Sequence, residues 1–179
     1  KPDETQEVRL EVKDGDAWKE IANEKIVYPG WSAHFRIKDW DATKDTPYRL
    51  RHAEKATFEG LVRKDPKDQD TITVGNLSCN SSRTTGPRPV ILKNLIKQNP
   101  DVLFFAGDQT YNHTQHTYGW LEFGLQFRDI MRDRPTITIP DDHDVGQANL
   151  WGEEGILATN AAGPSGGYFY PPAYVNMVQ

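Results

Sequence analysis

Cysteine is nearly absent from this chain, which has one, Cys79, among 179 residues. One thiol cannot form an internal disulfide, so cysteine usage does not indicate the redox compartment. Long apolar runs are also missing, and no stretch approaches the ~20 residues of a membrane span. The net charge of -5 argues against a nucleic-acid coat, because phosphate binding needs a basic face. No signal peptide is visible in the chain.

The first seventy residues alternate apolar and polar side chains over short segments that are separated by turn-forming residues. This pattern predicts an N-terminal antiparallel β-sandwich of immunoglobulin or fibronectin type, followed by a linker, over residues 1–69. Only about five strands are visible where ~7 are usual, so we expect the beginning of this domain to be missing. The predicted strands are Glu7–Lys13, Trp18–Ile26, Ala33–Trp40, Tyr48–His52 and Thr57–Arg63.

The rest of the chain, residues 70–179, alternates strand and helix patterns in a βαβαβ order, which predicts parallel strands covered by helices. The whole chain is therefore expected to be α+β, with a sandwich followed by the first part of an α/β domain. The predicted strands are Thr71–Val74, Val102–Ala106 and Thr136–Ile139, and the predicted helices are Arg88–Gln98 and Gly119–Arg132.

Polar side chains follow each of the three predicted strands: Ser78–Asn80, Gly107–Tyr111 and Asp141–Asp144. Ligands of open parallel sheets bind beyond the carboxyl ends of the strands, so these groups should meet at one edge. Carboxylate and imidazole groups are ligand types that metal ions accept. The pattern predicts a metal or phosphate site, although a solvated acidic turn that caps the next helix would also explain Asp141–Asp144.

Three motifs in this order, SCN at Ser78–Asn80, GDQTY at Gly107–Tyr111 and PDDHDVGQANLWG at Pro140–Gly152, resemble the alkaline phosphatase D (PhoD-like) family. That family belongs to the calcineurin-like metallophosphoesterase superfamily. The resemblance implies an exported (periplasmic or extracellular) enzyme that hydrolyses small phosphate mono- or diesters. A hydroxide activated by the metal ions would carry out the hydrolysis. Purple acid phosphatases share the GDxxY pattern and are the nearest alternative. A non-enzymatic β-sandwich interaction module with a degenerate half-domain is the alternative from another class.

The resemblance also implies a dinuclear metal site, with iron(III) and calcium or another divalent ion. By match, Asp108 would bridge the two ions, Cys79 and Tyr111 would bind iron, and Asp142 would bind the second ion. His143 would contact the phosphate and stabilise charge in the transition state, and Asp144 would orient that histidine.

Other polar residues near these motifs have smaller predicted roles. Asn80 is predicted to bind substrate, whereas His113 and His116 are expected at the rim and Asn149 could assist the site. The superfamily completes its site with histidines from later strands, which this chain lacks. We therefore expect a truncated domain, and the 179 residues alone to be inactive. The substrate and the oligomeric state stay open.

Overall fold

The computed structural model describes residues 4–81, 88–113 and 115–145. The chain forms two compact units. The first contains residues 1–70 and the short segment Arg132–Arg134, and the second contains residues 71–131 and 135–179. In the described residues, no helix is long and apolar enough to cross a membrane.

The first unit contains one four-stranded antiparallel sheet with the strand order β2-β1-β3-β4. Residues predicted as the strand Ala33–Trp40 are not a strand, and Asp39 within them has a left-handed φ of 55°. That prediction was wrong because alternation without a pairing partner does not make a strand. The sandwich is not confirmed, since the described residues of this unit supply one sheet. The strands are β1 (Glu7–Asp14), β2 (Ala17–Lys25), β3 (Thr46–His52) and β4 (Ala56–Val62).

The segment Arg132–Arg134 belongs to the first unit although it is distant from the rest of that unit in sequence. The carbonyl oxygen of Arg132 accepts hydrogen bonds from the backbone N–H of Leu61 at 3.2 Å and from the hydroxyl of Tyr48 at 2.9 Å. A Cβ atom at Gly60 would lie 2.3 Å from that oxygen, so glycine is needed for this approach. Backbone bonding therefore fixes this segment against β3 and β4.

The second unit contains a three-stranded parallel sheet with the order β5-β6-β7. The first strand of this sheet lies three residues later than predicted, because it begins at Val74 and pairs with Val102. The first helix and the other two strands have the predicted bounds, whereas the second helix begins three residues before its predicted start and ends one residue earlier. A 3₁₀ turn over Asp142–Val145 follows the last strand. The elements are β5 (Val74–Leu77), α1 (Arg88–Gln98), β6 (Val102–Ala106), α2 (His116–Met131) and β7 (Thr136–Ile139).

The core of the second unit joins β6 to α2. Phe105 makes edge-to-face contacts with Phe123 and Phe127, at centroid distances of 4.9 and 5.0 Å. Leu103 and Ile130 are fully buried in the same cluster. This packing fixes the middle strand, and with it the residues that follow Ala106.

The side chains on the opposite face of this sheet are much more exposed than those of the core. Ile137 and Ile139 of β7 are 53% and 46% exposed and are paired in register with Phe104 and Ala106. Alternate residues of a strand point to opposite faces, so these four share the face away from Leu103 and Phe105. An apolar sheet face is thus accessible in the described part of the chain.

Candidate metal centre

The parallel register brings the ends of the three strands to one edge of the sheet. Leu77 pairs with Phe105, and Ala106 pairs with Ile139, so the next residues of each strand emerge side by side. Backbone bonds continue beyond the strands, from the N–H of Cys79 to the Gly107 carbonyl (3.2 Å) and from Asn80 to Asp108 (2.8 Å). The three predicted strand-end segments therefore lie at one edge of the sheet.

The backbone turns sharply at this edge. Gly107, Asp108 and Cys79 have left-handed φ values of 87°, 59° and 56°. A Cβ atom at Gly107 would lie 2.5 Å from the Cβ of Asp141, so this close approach also requires glycine. Left-handed conformations of non-glycine residues are uncommon and concentrate at functional sites. Two predicted metal ligands, Cys79 and Asp108, thus occupy costly backbone conformations, which independently indicates a functional site at this edge.

Asp108 lies at the centre of the cluster. Its Oδ2 accepts a hydrogen bond from the Tyr111 hydroxyl at 2.8 Å, and the Cys79 thiol approaches the same oxygen at 3.5 Å. Its Oδ1 is buried and has no hydrogen-bond partner in the described residues. A buried carboxylate oxygen without a partner costs free energy unless a cation or a donor completes it. Thiolate, phenolate and carboxylate around one point therefore fit a metal ion.

The hydroxyl of Tyr111 is held in its neutral form in this arrangement. Burial raises the pKa of Tyr111 well above its usual value of 10, and the hydrogen bonds with Asp108 and Cys79 raise it further. A metal that binds this oxygen as phenolate must therefore displace a proton, so binding should release protons and weaken at low pH.

Asp142 and His143 also lie close to Asp108. One ligand atom each from Asp108, Asp142 and His143 lie within 4.8 Å of one another. The 3₁₀ turn holds these residues in place, because Asp142 Oδ1 accepts the backbone N–H of His143 at 2.7 Å. The structure thus brings the ligands predicted for both ions close to Asp108: Cys79 and Tyr111 for one ion, and Asp142 for the other. Their individual roles stay predictions.

Asp144 ties two strand ends together from beneath the site. Its carboxylate is fully buried and accepts backbone N–H bonds from Asp108 (2.7 Å), Thr110 (3.0 Å) and Asp141 (3.0 Å). Burial raises the pKa of Asp144 to about 6, although these three bonds lower it. The predicted orienting of His143 is untested, and the observed hydrogen bonds show a backbone clamp.

Asn80 is half-buried and is held by hydrogen bonds to neighbouring residues. Its amide nitrogen donates to the Gln109 carbonyl (3.1 Å) and to Gln126 Oε1 (2.8 Å). Its amide oxygen accepts from Arg88 Nε at 2.9 Å. The substrate-binding role of Asn80 therefore stays a prediction, and the contacts indicate that the residue fixes the loop after β5.

His113 was expected at the rim of the site, but it is only 8% exposed. Its Nε2 lies 2.7 Å from Nδ1 of His143. Composition alone could not distinguish this histidine from His116, because burial and pairing depend on the fold. The side chain of His116 and the whole of Asn149 lie outside the described residues.

No protein-family model and no curated protein matches the sequence. Among solved structures, the chain is similar to a purple acid phosphatase, PPD1, isolated from yellow lupin (Lupinus luteus) seeds. The TM-score is 0.55 with 16% sequence identity, covering 86% of this chain and 33% of that one. The chain therefore spans about a third of the matched structure. At this identity, the likeness shows that the chain shares part of its fold with that structure.

Proposed function

We propose that this chain is part of a metal-dependent phosphoester hydrolase of the metallophosphoesterase type. The observation that carries the proposal is the buried Oδ1 of Asp108, which has no hydrogen-bond partner among the described residues, while Oδ2 is shared by Cys79 and Tyr111. A structural aspartate that only caps a turn would have its oxygens occupied by backbone N–H groups, as Asp144 has.

The side chains divide into ligands and a substrate-facing group. Asp108 has two carboxylate oxygens and can bridge two cations, with Cys79 and Tyr111 on one and Asp142 on the other. Two such cations would supply charge neutralisation for a phosphate and activation of a water near neutral pH. With a net charge of -5, the protein has no surplus of basic groups to attract that anion.

His143 is proposed to act on the substrate. An imidazole N–H can donate to a phosphate oxygen and stabilise charge that develops during ester cleavage. Its ring stands against Tyr111, with a centroid distance of 4.1 Å, at the edge that carries the ligands. Because Nδ1 of His143 lies 2.7 Å from Nε2 of His113, we assign the substrate contact to Nε2 of His143.

The finer assignment is also a proposal. The ordered motifs favour a PhoD-like enzyme with iron(III) and calcium or another divalent ion, whereas a purple-acid-phosphatase-like enzyme fits the structural likeness. Export, as the PhoD resemblance implies, is proposed with it. The thiol of Cys79 bears on which metal ion binds, because soft thiolate ligands select metals differently from carboxylates.

The test is metal content and hydrolysis in the full-length protein that contains this sequence. We expect bound iron, together with turnover of p-nitrophenyl phosphate or its diester. Asp108→Asn should lower metal affinity by more than the about 10–100-fold lost with an outer-shell partner. Asp101→Asn is the matched control, because Asp101 bonds only the exposed backbone of Thr73 among the contacts described here. Metal-free wild-type protein without turnover would overturn the proposal and favour an interaction module.

A further inference from the structure

The pair formed by His113 and His143 has a consequence for the proposed reaction. The two facing nitrogens are 2.7 Å apart, which is hydrogen-bond distance, and the two rings are nearly parallel, with 6° between their planes and 4.8 Å between their centroids. One of these nitrogens must carry the proton and the other must accept it. The contact therefore couples the tautomer of His143 to that of His113.

Hydrogen bonds hold the backbone near His113 in place. The loop after Tyr111 is closed by two local bonds, from the N–H of Asn112 to Thr110 Oγ1 (3.2 Å) and from the N–H of Gln115 to Asn112 Oδ1 (3.0 Å). The Thr110 backbone is itself bound to Asp144. His113 thus belongs to a loop fixed to the same carboxylate that supports the Asp141–Asp144 turn.

The usual candidate for holding a catalytic imidazole is a carboxylate. Asp144 is next to His143 in sequence, yet its two oxygens already accept three backbone N–H bonds. His113, by contrast, directs a buried ring nitrogen at Nδ1 of His143.

We propose that His113 is a positioning residue for His143. This inference rests on the proposed function. Nε2–H of His113 donates to Nδ1 of His143, so His143 keeps its own proton on Nε2, and this N–H is offered to a phosphoester oxygen. In the reverse arrangement, Nε2 of His143 would be a bare lone pair suited to a metal.

Two substitutions of His113 test whether its hydrogen bond to His143 matters for catalysis. In His113→Leu, the bond to His143 is lost while the ligands around Asp108 are unchanged. In His113→Gln, the amide N–H can stand near the position of the histidine Nε2. We expect kcat to fall at least tenfold in His113→Leu with KM and metal content little changed, and His113→Gln to recover most of it. Equal activity of wild type and His113→Leu, or equal losses in both variants, would overturn the proposal.

A second readout does not depend on turnover. The chain has five histidines, and their ring nitrogens can be followed by NMR after selective ¹⁵N labelling. In the wild type, we expect His143 to show one neutral tautomer with the proton on Nε2, and in His113→Leu a mixture of tautomers. His52→Gln, a substitution in the first unit, is the control and should leave the His143 signals unchanged.

The two readouts distinguish failure of this inference from failure of the proposed function. A wild-type protein without phosphoesterase activity whose His143 signals still change in His113→Leu would refute the hydrolase and its catalytic use of the pair, but not the coupling itself. An active protein whose His143 signals are the same in both would refute the positioning role. A proton found on Nδ1 of His143 would also refute it.

Discussion

Replacing Asp144 by asparagine should change how the stability of the metal-free protein depends on pH. The carboxyl group of Asp144 is fully buried, and its pKa is raised by that burial from the ordinary 3.8 to about 6. A raised pKa in the folded state means that the folded protein holds this proton more tightly than the unfolded chain does. The contribution of Asp144 to stability is therefore present below about pH 4 and lost as the pH rises through 6.

The size of this effect follows from the two pKa values. At 1.36 kcal/mol for each unit, the shift from 3.8 to about 6 corresponds to about 3 kcal/mol of unfolding free energy. An asparagine cannot ionise but has nearly the same shape as the protonated aspartic acid. The wild type should therefore lose about 3 kcal/mol relative to Asp144→Asn between pH 4 and pH 7.

Urea unfolding of chelator-treated protein, followed by circular dichroism across this pH range, measures the difference directly. Other titrating groups affect wild type and variant alike and cancel in the comparison. Asp101→Asn makes the same chemical change at a half-buried carboxylate outside the site and is the control. Parallel stability curves for wild type and Asp144→Asn would refute the reasoning. With metal bound to the neighbouring Asp108, the difference should shrink, because added positive charge favours the ionised carboxylate.

Two further substitutions test the support of the site. Gly107→Ala should cost about 1–3 kcal/mol in unfolding free energy, because φ is 87° and the new Cβ would meet Asp141 at 2.5 Å. Gly124→Ala is the control, because a Cβ at Gly124 meets open space. An unfolding free energy that does not change in Gly107→Ala would contradict the close approach. Phe105→Ala should cost about 3–5 kcal/mol in urea unfolding, since it removes the ring packed between Phe123 and Phe127, and a loss below 1 kcal/mol would argue against that packing.

The sequence predicted most of the second unit because its patterns agree with its pairing. The continuous apolar run Val102–Ala106 is the middle strand, and Thr136–Ile139 is its neighbour. The β-branched run Thr71–Val74 was misleading, because the register with β6 places the strand at Val74–Leu77. Ala33–Trp40 alternated without a partner and is not a strand. Local pattern identifies residues that can form strands, whereas pairing decides which ones do.

The candidate site was predictable in position but not in its internal bonding. Three polar clusters at strand ends are visible in sequence, and the parallel sheet does bring them together. The clamp made by Asp144 and the pairing of His113 with His143 depend on loop conformations that leave no periodic pattern. Sequence cannot indicate either contact, because a histidine in a polar stretch has the same composition whether it is buried or solvated.

The attachment of Arg132–Arg134 to the first unit limits how this protein can be dissected. A recombinant piece that starts at residue 71 would keep these three residues between α2 and β7 but would remove Leu61 and Tyr48, which bond the Arg132 carbonyl. The segment Arg132–Arg134 would then lose two hydrogen bonds that anchor its backbone. Expression trials should retain both units.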